Sequence, residues 1–214
     1  MAFFKRLFQS SKKPALTPKP AAPSPSAAAA RSMLVSIGEL TVGNDFLTIE
    51  GYPFEPSIAY RQPTIKASEI DEIDSLSFPP TIKVGNELIF LTREKVKELE
   101  AFALRNHINI VPRPAIWSWI LEPFLDTEYT PEAEEKAMEF LGNFGLTAEQ
   151  IKSLRSEVEA QMISYNFDTM LWEWIGFDTS DVLKAMRPAY SRDAYRDFYK
   201  RVMDIALLSE KKTN

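Results

Sequence analysis

Between residues 37 and 91 apolar side chains recur at every second position, broken by turn residues, which is the periodicity of short half-buried strands. The pattern predicts strands at about 37–42, 46–50, 81–84 and 87–91, a fifth at 64–67 and a sixth at 58–61. Two turns share one chemistry, Gly43-Asn44 and Gly85-Asn86. A Gly-Asn pair between β-rich flanks is a hairpin signal, because both residues tolerate the positive φ of tight hairpin turns. Pro53, Pro56, Pro63, Pro79 and Pro80 mark loops or strand edges, since proline donates nothing to a ladder.

From Thr92 onward the period becomes helical. Thr92 is placed to cap a helix running to about His107, with Val96, Leu99, Ala103 and Leu104 facing inward. After Pro112 and Pro114, Trp117, Ile120, Leu121 and Phe124 recur at helical spacing. Thr130-Pro131-Glu132 is a helix start, with a hydroxyl cap, proline at the first helical position and acids at the positive end of the dipole. That helix is expected to reach about 142 and to bury Met138, Leu141 and Phe144. Thr147 and Gln150 form a capping box inside a staple of Leu146 with Ile151, opening a helix at 148–163 with Ile151, Leu154, Val158 and Met162 inward. Phe167, Met170, Leu171, Trp174 and Ile175 suggest another apolar stripe. A short helix at 180–187 stops before Pro188, and Ser191 caps a last helix that buries Tyr195, Phe198, Tyr199, Val202, Ile205 and Ala206.

These elements predict an α+β body: a small antiparallel sheet with a packed helix at 37–111, a C-terminal helical bundle at 112–209 packed on it, and a frayed tail at 210–214. Composition agrees with a globular body, at 45% apolar and 26% charged residues. Charge separates the first 36 residues from the rest. They hold Lys5, Arg6, Lys12, Lys13, Lys19 and Arg31 and no acid, so subtracting this +6 from the chain's −5 leaves −11 on the remainder. Five prolines between 14 and 25 and the Ala27–Ala30 run read as a disordered linker. Ahead of it, Phe3, Phe4, Leu7 and Phe8 share one helical face beside Lys5 and Arg6, the pattern of a membrane-docking or partner-docking arm or, alternatively, of a frayed terminus with no role. No 7–15-residue apolar core follows the charges as a secretory signal requires, while the missing acids also fit an organellar transit peptide.

Residues 37–107 carry a family resemblance. The short antiparallel strands, the Ile65-Lys66-Ala67-Ser68-Glu69-Ile70-Asp71-Glu72-Ile73 stretch, the Gly85-Asn86 hairpin and the closing helix together resemble bacterial pleckstrin-homology-like or GRAM-type domains. The resemblance covers about a third of the chain. It departs from the family in strand count, five or six where seven are expected, and in being acidic. It implies a protein-interaction or membrane-adjacent module and brings no catalytic residue with it.

The residue inventory narrows the chemistry. Without cysteine, no disulfide, thiolate metal site or cysteine nucleophile can form, and the single His107 cannot build a histidine-rich metal centre. At its helix end, His107 reads as a cation near the last carbonyls. No run approaches 18 consecutive apolar residues. Asp126 and Glu128, followed by Glu132, Glu134 and Glu135, form a carboxylate-rich stretch, but the ligand order of a calcium loop is missing. Glu69, Asp71, Glu72 and Asp74 alternate with Ile70 and Ile73 as a solvated face over a buried one. Arg187, Arg192 and Arg196 flank the last helix start as a solvated cationic face. The tryptophans come as Trp117 with Trp119 and Trp172 with Trp174; residues two apart cannot share a helical face, so Trp119 and Trp172 are the candidates for exposed partner-binding anchors.

The expected function is therefore a non-enzymatic adaptor or immunity-like binding protein of the bacterial cytoplasm. Its acidic, aromatic surface would meet a protein partner with a basic face, without nucleic acid, metal or cofactor. The arm of Phe3, Phe4, Lys5, Arg6, Leu7 and Phe8 would hold it loosely at the inner face of the membrane. The rival expectation is a carboxylate-based hydrolase or metal-dependent enzyme using the acids near 126–135.

Overall fold

The computed structural model describes residues 37–125, 128–169 and 176–211. The arm and linker, Asp126, Trp172, Trp174 and the apolar residues Met170, Leu171 and Ile175 lie outside the described residues.

The fold is α+β. β1 (Glu39–Val42), β2 (Phe46–Glu50) and β3 (Thr64–Lys66) form an antiparallel sheet in that order. A four-stranded sheet follows the order β6-β5-β4-β7, from β4 (Glu72–Asp74), β5 (Thr81–Val84), β6 (Glu87–Phe90) and β7 (Asn109–Ile110). Its first three strands are antiparallel, and β7 runs parallel to β4. The segment 58–61 is a short helix, α1 (Ile58–Arg61), not a strand: Ser57 Oγ accepts from the Ala59 amide and Glu87 Oε1 accepts from the Ile58 amide, 2.8 Å away. Both Gly-Asn turns are hairpins. Gly85 has φ 58°, which favours glycine, whereas Gly43 has no positive φ, and an added Cβ there would meet only the half-exposed Phe46 ring, at 2.6 Å, which can turn away.

Helix α2 (Val96–Arg105) crosses from β6 to β7 and buries Leu99, Phe102 and Ala103. Its stripe is shifted from the expected one, since Phe102 is inside and Leu104 is 81% exposed. A 3₁₀ turn at Arg93–Lys95 precedes it, and Thr92 makes no side-chain cap bond. His107 also departs from its expected role. With φ 57° it is the left-handed residue past the helix end; its amide donates to the Leu104 carbonyl at 3.4 Å and its side chain is exposed, so the backbone supplies the cap. The run from Glu69 to Asp74 is not a uniformly solvated face. Asp74 is buried in β4 and accepts from the amides of Leu76, Ser77 and Arg113, while Glu72 pairs with the Arg113 guanidinium.

The C-terminal part contains α3 (Ile116–Leu121), α4 (Pro131–Asn143), α5 (Ala148–Thr169), α6 (Thr179–Met186) and α7 (Arg192–Ala206). The start signals act as the sequence implies. Thr130 Oγ1 accepts from Ala133, Thr147 and Gln150 satisfy each other's backbone amides, and Ser191 Oγ accepts from Ala194. Helix α5 runs on to Thr169 where a stop near 163 was expected; Ile151, Leu154, Val158 and Met162 are buried, but Phe167 is 75% exposed. All six residues expected inside on α7 are buried. One continuous core joins sheets and helices: Trp117 Nε1 donates to the Val202 carbonyl at 3.0 Å, and α7 packs on β6 with Met203 Sδ accepting from the Leu88 amide. No helix among the described residues is long and apolar enough to cross a membrane.

Candidate functional site: a cleft between α4 and α5

The Trp117-Ser118-Trp119 sequence starts the site. Two residues on a helix differ by about 200° in direction, so once Trp117 enters the core Trp119 must face elsewhere. Trp119 meets α4 and stacks on Phe140 with ring centroids 4.7 Å apart and planes at 23°; Phe140 in turn lies 5.0 Å from Phe144. Trp119 is thus half-buried instead of standing free in solvent. It fixes how α4 sits against α3.

A 3₁₀ turn at Glu122–Phe124 leads out of α3, and with α4 and α5 it encloses an open cleft of about 400 Å³. Pro123, Phe124 and Met138 give it an apolar floor, and Lys152, Ser156 and Glu159 of α5 form one wall. Spacings of four and three residues put those wall residues on one helical line. Four and eight residues after Glu159 come Ile163, 53% exposed, and Phe167. Ile163 and Phe167 are thus exposed apolar residues on the same side of α5, beyond the cleft lining.

Arg155 organises the inner end. Its guanidinium donates to both oxygens of Glu134, at 3.0 and 2.7 Å, to Tyr129 Oη at 3.2 Å, and to the carbonyls of Ile120 at 3.0 Å and Trp119 at 3.4 Å. Tyr129 also donates to Glu134. One side chain thus ties α3, the start of α4 and α5 together. Burial and the hydrogen bond to Glu134 push the Tyr129 phenol up to about 12. For Glu134, burial acts upward, yet hydrogen bonds from Tyr129 and Arg155 and the charge of Arg155 outweigh it and hold the carboxyl below its ordinary range. Glu134 is an ionised, paired acceptor, the opposite of what a proton-donating acid requires.

The other acids of this stretch do not converge. Glu128, Glu132 and Glu135 are exposed, and no group of three His, Asp or Glu side chains among the described residues is arranged to hold a metal ion. The charged residues lining the cleft are Glu134 and Glu159 against Lys152 and Arg155, and the Glu134 and Arg155 charges pair. Arg187, expected as a solvated cation, is committed to Glu55 through two bonds of 2.7 and 2.8 Å and lies over the Tyr195 ring.

A second pair of carboxylates, Asp178 and Asp181, was not singled out from sequence, although Asp178-Thr179-Ser180-Asp181 has capping-box spacing. Asp178 accepts from the Ser180 amide, Asp181 accepts from the Asp178 amide at 3.0 Å, and Tyr165 Oη donates to Asp181 at 3.0 Å. Burial, followed by the neighbouring Asp181 charge, raises Asp178 to about 7. The oxygens at the start of α6 are occupied in capping it. Sequence carried no signal for Arg155, whose partners lie 21 to 36 residues away.

Compared with protein-family models, with curated proteins and with solved structures, the chain finds no match in any of the three.

Proposed function

We propose that the protein is a non-enzymatic binding or adaptor protein whose partner surface is the α4–α5 cleft on an acidic body. The observation that carries this reading is the division of labour among the carboxylates. Of the two acids that line the cleft, Glu134 is neutralised by Arg155 and Glu159 is exposed, while Glu128, Glu132 and Glu135 are exposed and do not converge. Converging acids and a raised-pKa donor would serve hydrolysis, but the one raised carboxyl near another acid, Asp178 beside Asp181, is engaged in capping α6; exposed, separated acids suit recognition of a basic, partly apolar protein segment. The likeness of residues 37–107 to pleckstrin-homology-like modules supports the same class of role.

The test is affinity capture with the tagged full chain, the wild type beside Glu135→Lys/Glu139→Lys/Glu159→Lys, Trp119→Ala and Trp172→Ala. A basic protein recovered by the wild type and lost from the charge-reversed chain is the expected result. Undiminished recovery by the charge-reversed chain, or turnover of a small substrate abolished by Glu134→Gln, would remove this reading.

A further inference from the structure

We propose that Gln62 and Glu69 close the outer edge of β3 against pairing with the β3 of a second copy of the chain. β3 is an edge strand of the sheet β1-β2-β3. The Ile49 amide donates to the Pro63 carbonyl and the Ala67 amide to the Asp45 carbonyl, each at 2.8 Å, and Leu47 faces Ile65 between them. Main-chain groups of an antiparallel strand point to alternate sides, so Pro63, Ile65 and Ala67 turn theirs toward β2 while Thr64 and Lys66 turn theirs outward. An outward row of this kind is a template for another strand. Pro63 is no guard against it, because the donor that proline lacks would have faced β2.

The other sheet edges have packed neighbours. The β6 amides of Leu88 and Phe90 donate to the buried Met203 Sδ and Tyr52 Oη, and α2 packs against both β1 and β7. Among the described residues, β3 is instead closed by side chains next to it in the chain. Gln62 Nε2 donates to the Thr64 carbonyl at 3.0 Å, and Glu69 Oε2 accepts from the Lys66 amide at 2.8 Å. Both side chains start from fixed backbone. Gln62 ends α1, its amide donating to the Ile58 carbonyl at 2.7 Å, and Glu69 ends a 3₁₀ turn, Ala67–Glu69, closed by the Ile70 amide on the Ala67 carbonyl at 3.2 Å.

The register of the excluded dimer follows from these directions. In an antiparallel pair with its two-fold axis at Ile65, Thr64 of one copy faces Lys66 of the other, and each Lys66 amide would donate to the Thr64 carbonyl across the axis. Lysine then faces threonine, so no like charges stand directly opposite to forbid the pair. Glu69 and Gln62 hold the donor and the acceptor of that same bond.

Sedimentation velocity over a hundredfold range of concentration tests this with the full chain. The wild type should remain monomeric, and Gln62→Ala/Glu69→Ala should form a dimer whose fraction rises with concentration. Adding Thr64→Pro to the double variant removes an outward amide without touching the β2 ladder and should return the monomer. Glu69→Gln keeps an oxygen that accepts from Lys66 and should stay monomeric. A double variant with wild-type circular dichroism that is monomeric throughout overturns the proposal. So does a dimer that survives Thr64→Pro, or a wild type that dimerises and is made monomeric by Thr64→Pro. Amide exchange of the wild type gives a reading independent of any variant. After correction for intrinsic rates, the Lys66 amide should exchange at least about tenfold more slowly than the Thr64 amide, and equal rates would show that no such latch holds.

Discussion

Arg155 shows how one side chain can set the geometry of a surface. It reaches a carboxylate, a phenol and two backbone carbonyls, and removing it would leave all four short of a donor. Arg155→Met should lower unfolding free energy by about 2–3 kcal/mol in urea denaturation, less than a fully buried pair because the Glu134 side chain is 38% exposed. Arg155→Lys should rescue only part of this, since an ammonium cannot span the fork. Asp178 gives a second test with a definite sign. Its folded pKa, near 7, lies above the ordinary 3.8, so the native state binds this proton more tightly than the unfolded chain does. The associated stability is full below about pH 4 and is lost as pH rises through 7. Asp178→Asn should flatten thermal stability over that window and exceed the wild type at pH 8, measured by Tm against pH. A variant that follows the wild-type pH profile would contradict the assignment.

At the scale of elements, start signals were the most legible part of the sequence. The caps at Thr130, Thr147 and Ser191 rest on contacts three residues apart, which local spacing states directly. Strand β4 was missed because Glu72 and Asp74 read as solvated acids, and only the Arg113 guanidinium and three amides from distant or turn positions explain them. Ile58–Arg61 was misread although Ser57 caps it locally; its second cap, Glu87, lies 29 residues on. The α4–α5 cleft was partly visible, in Trp119 and the acidic run, but its organiser Arg155 has no local pattern. Phe167 illustrates the limit of periodicity, because it continues an apolar stripe in sequence yet points outward. Phe167→Ser should therefore change stability by less than about 0.5 kcal/mol, whereas a core position would cost several times more; chemical denaturation distinguishes the two.

Across the whole molecule, the core passes without a break from the sheets into the helices, through Trp117 to Val202 and Met203 to Leu88. The sequence division near residue 111 marks a change of periodicity more than a division of the core. Far-UV circular dichroism and tryptophan fluorescence should report one coincident unfolding transition, and two separated transitions would contradict this continuity. At the same scale the proposed function has a charge consequence, since a body of −11 would attract a basic partner. The most direct measurement is the association of the captured basic partner with immobilised chain, followed by surface plasmon resonance over a range of salt. The account predicts an on-rate that falls steeply with ionic strength and drops again in Glu135→Lys/Glu139→Lys/Glu159→Lys, with the off-rate changing much less. Association that is indifferent to both salt and these three charges would contradict it.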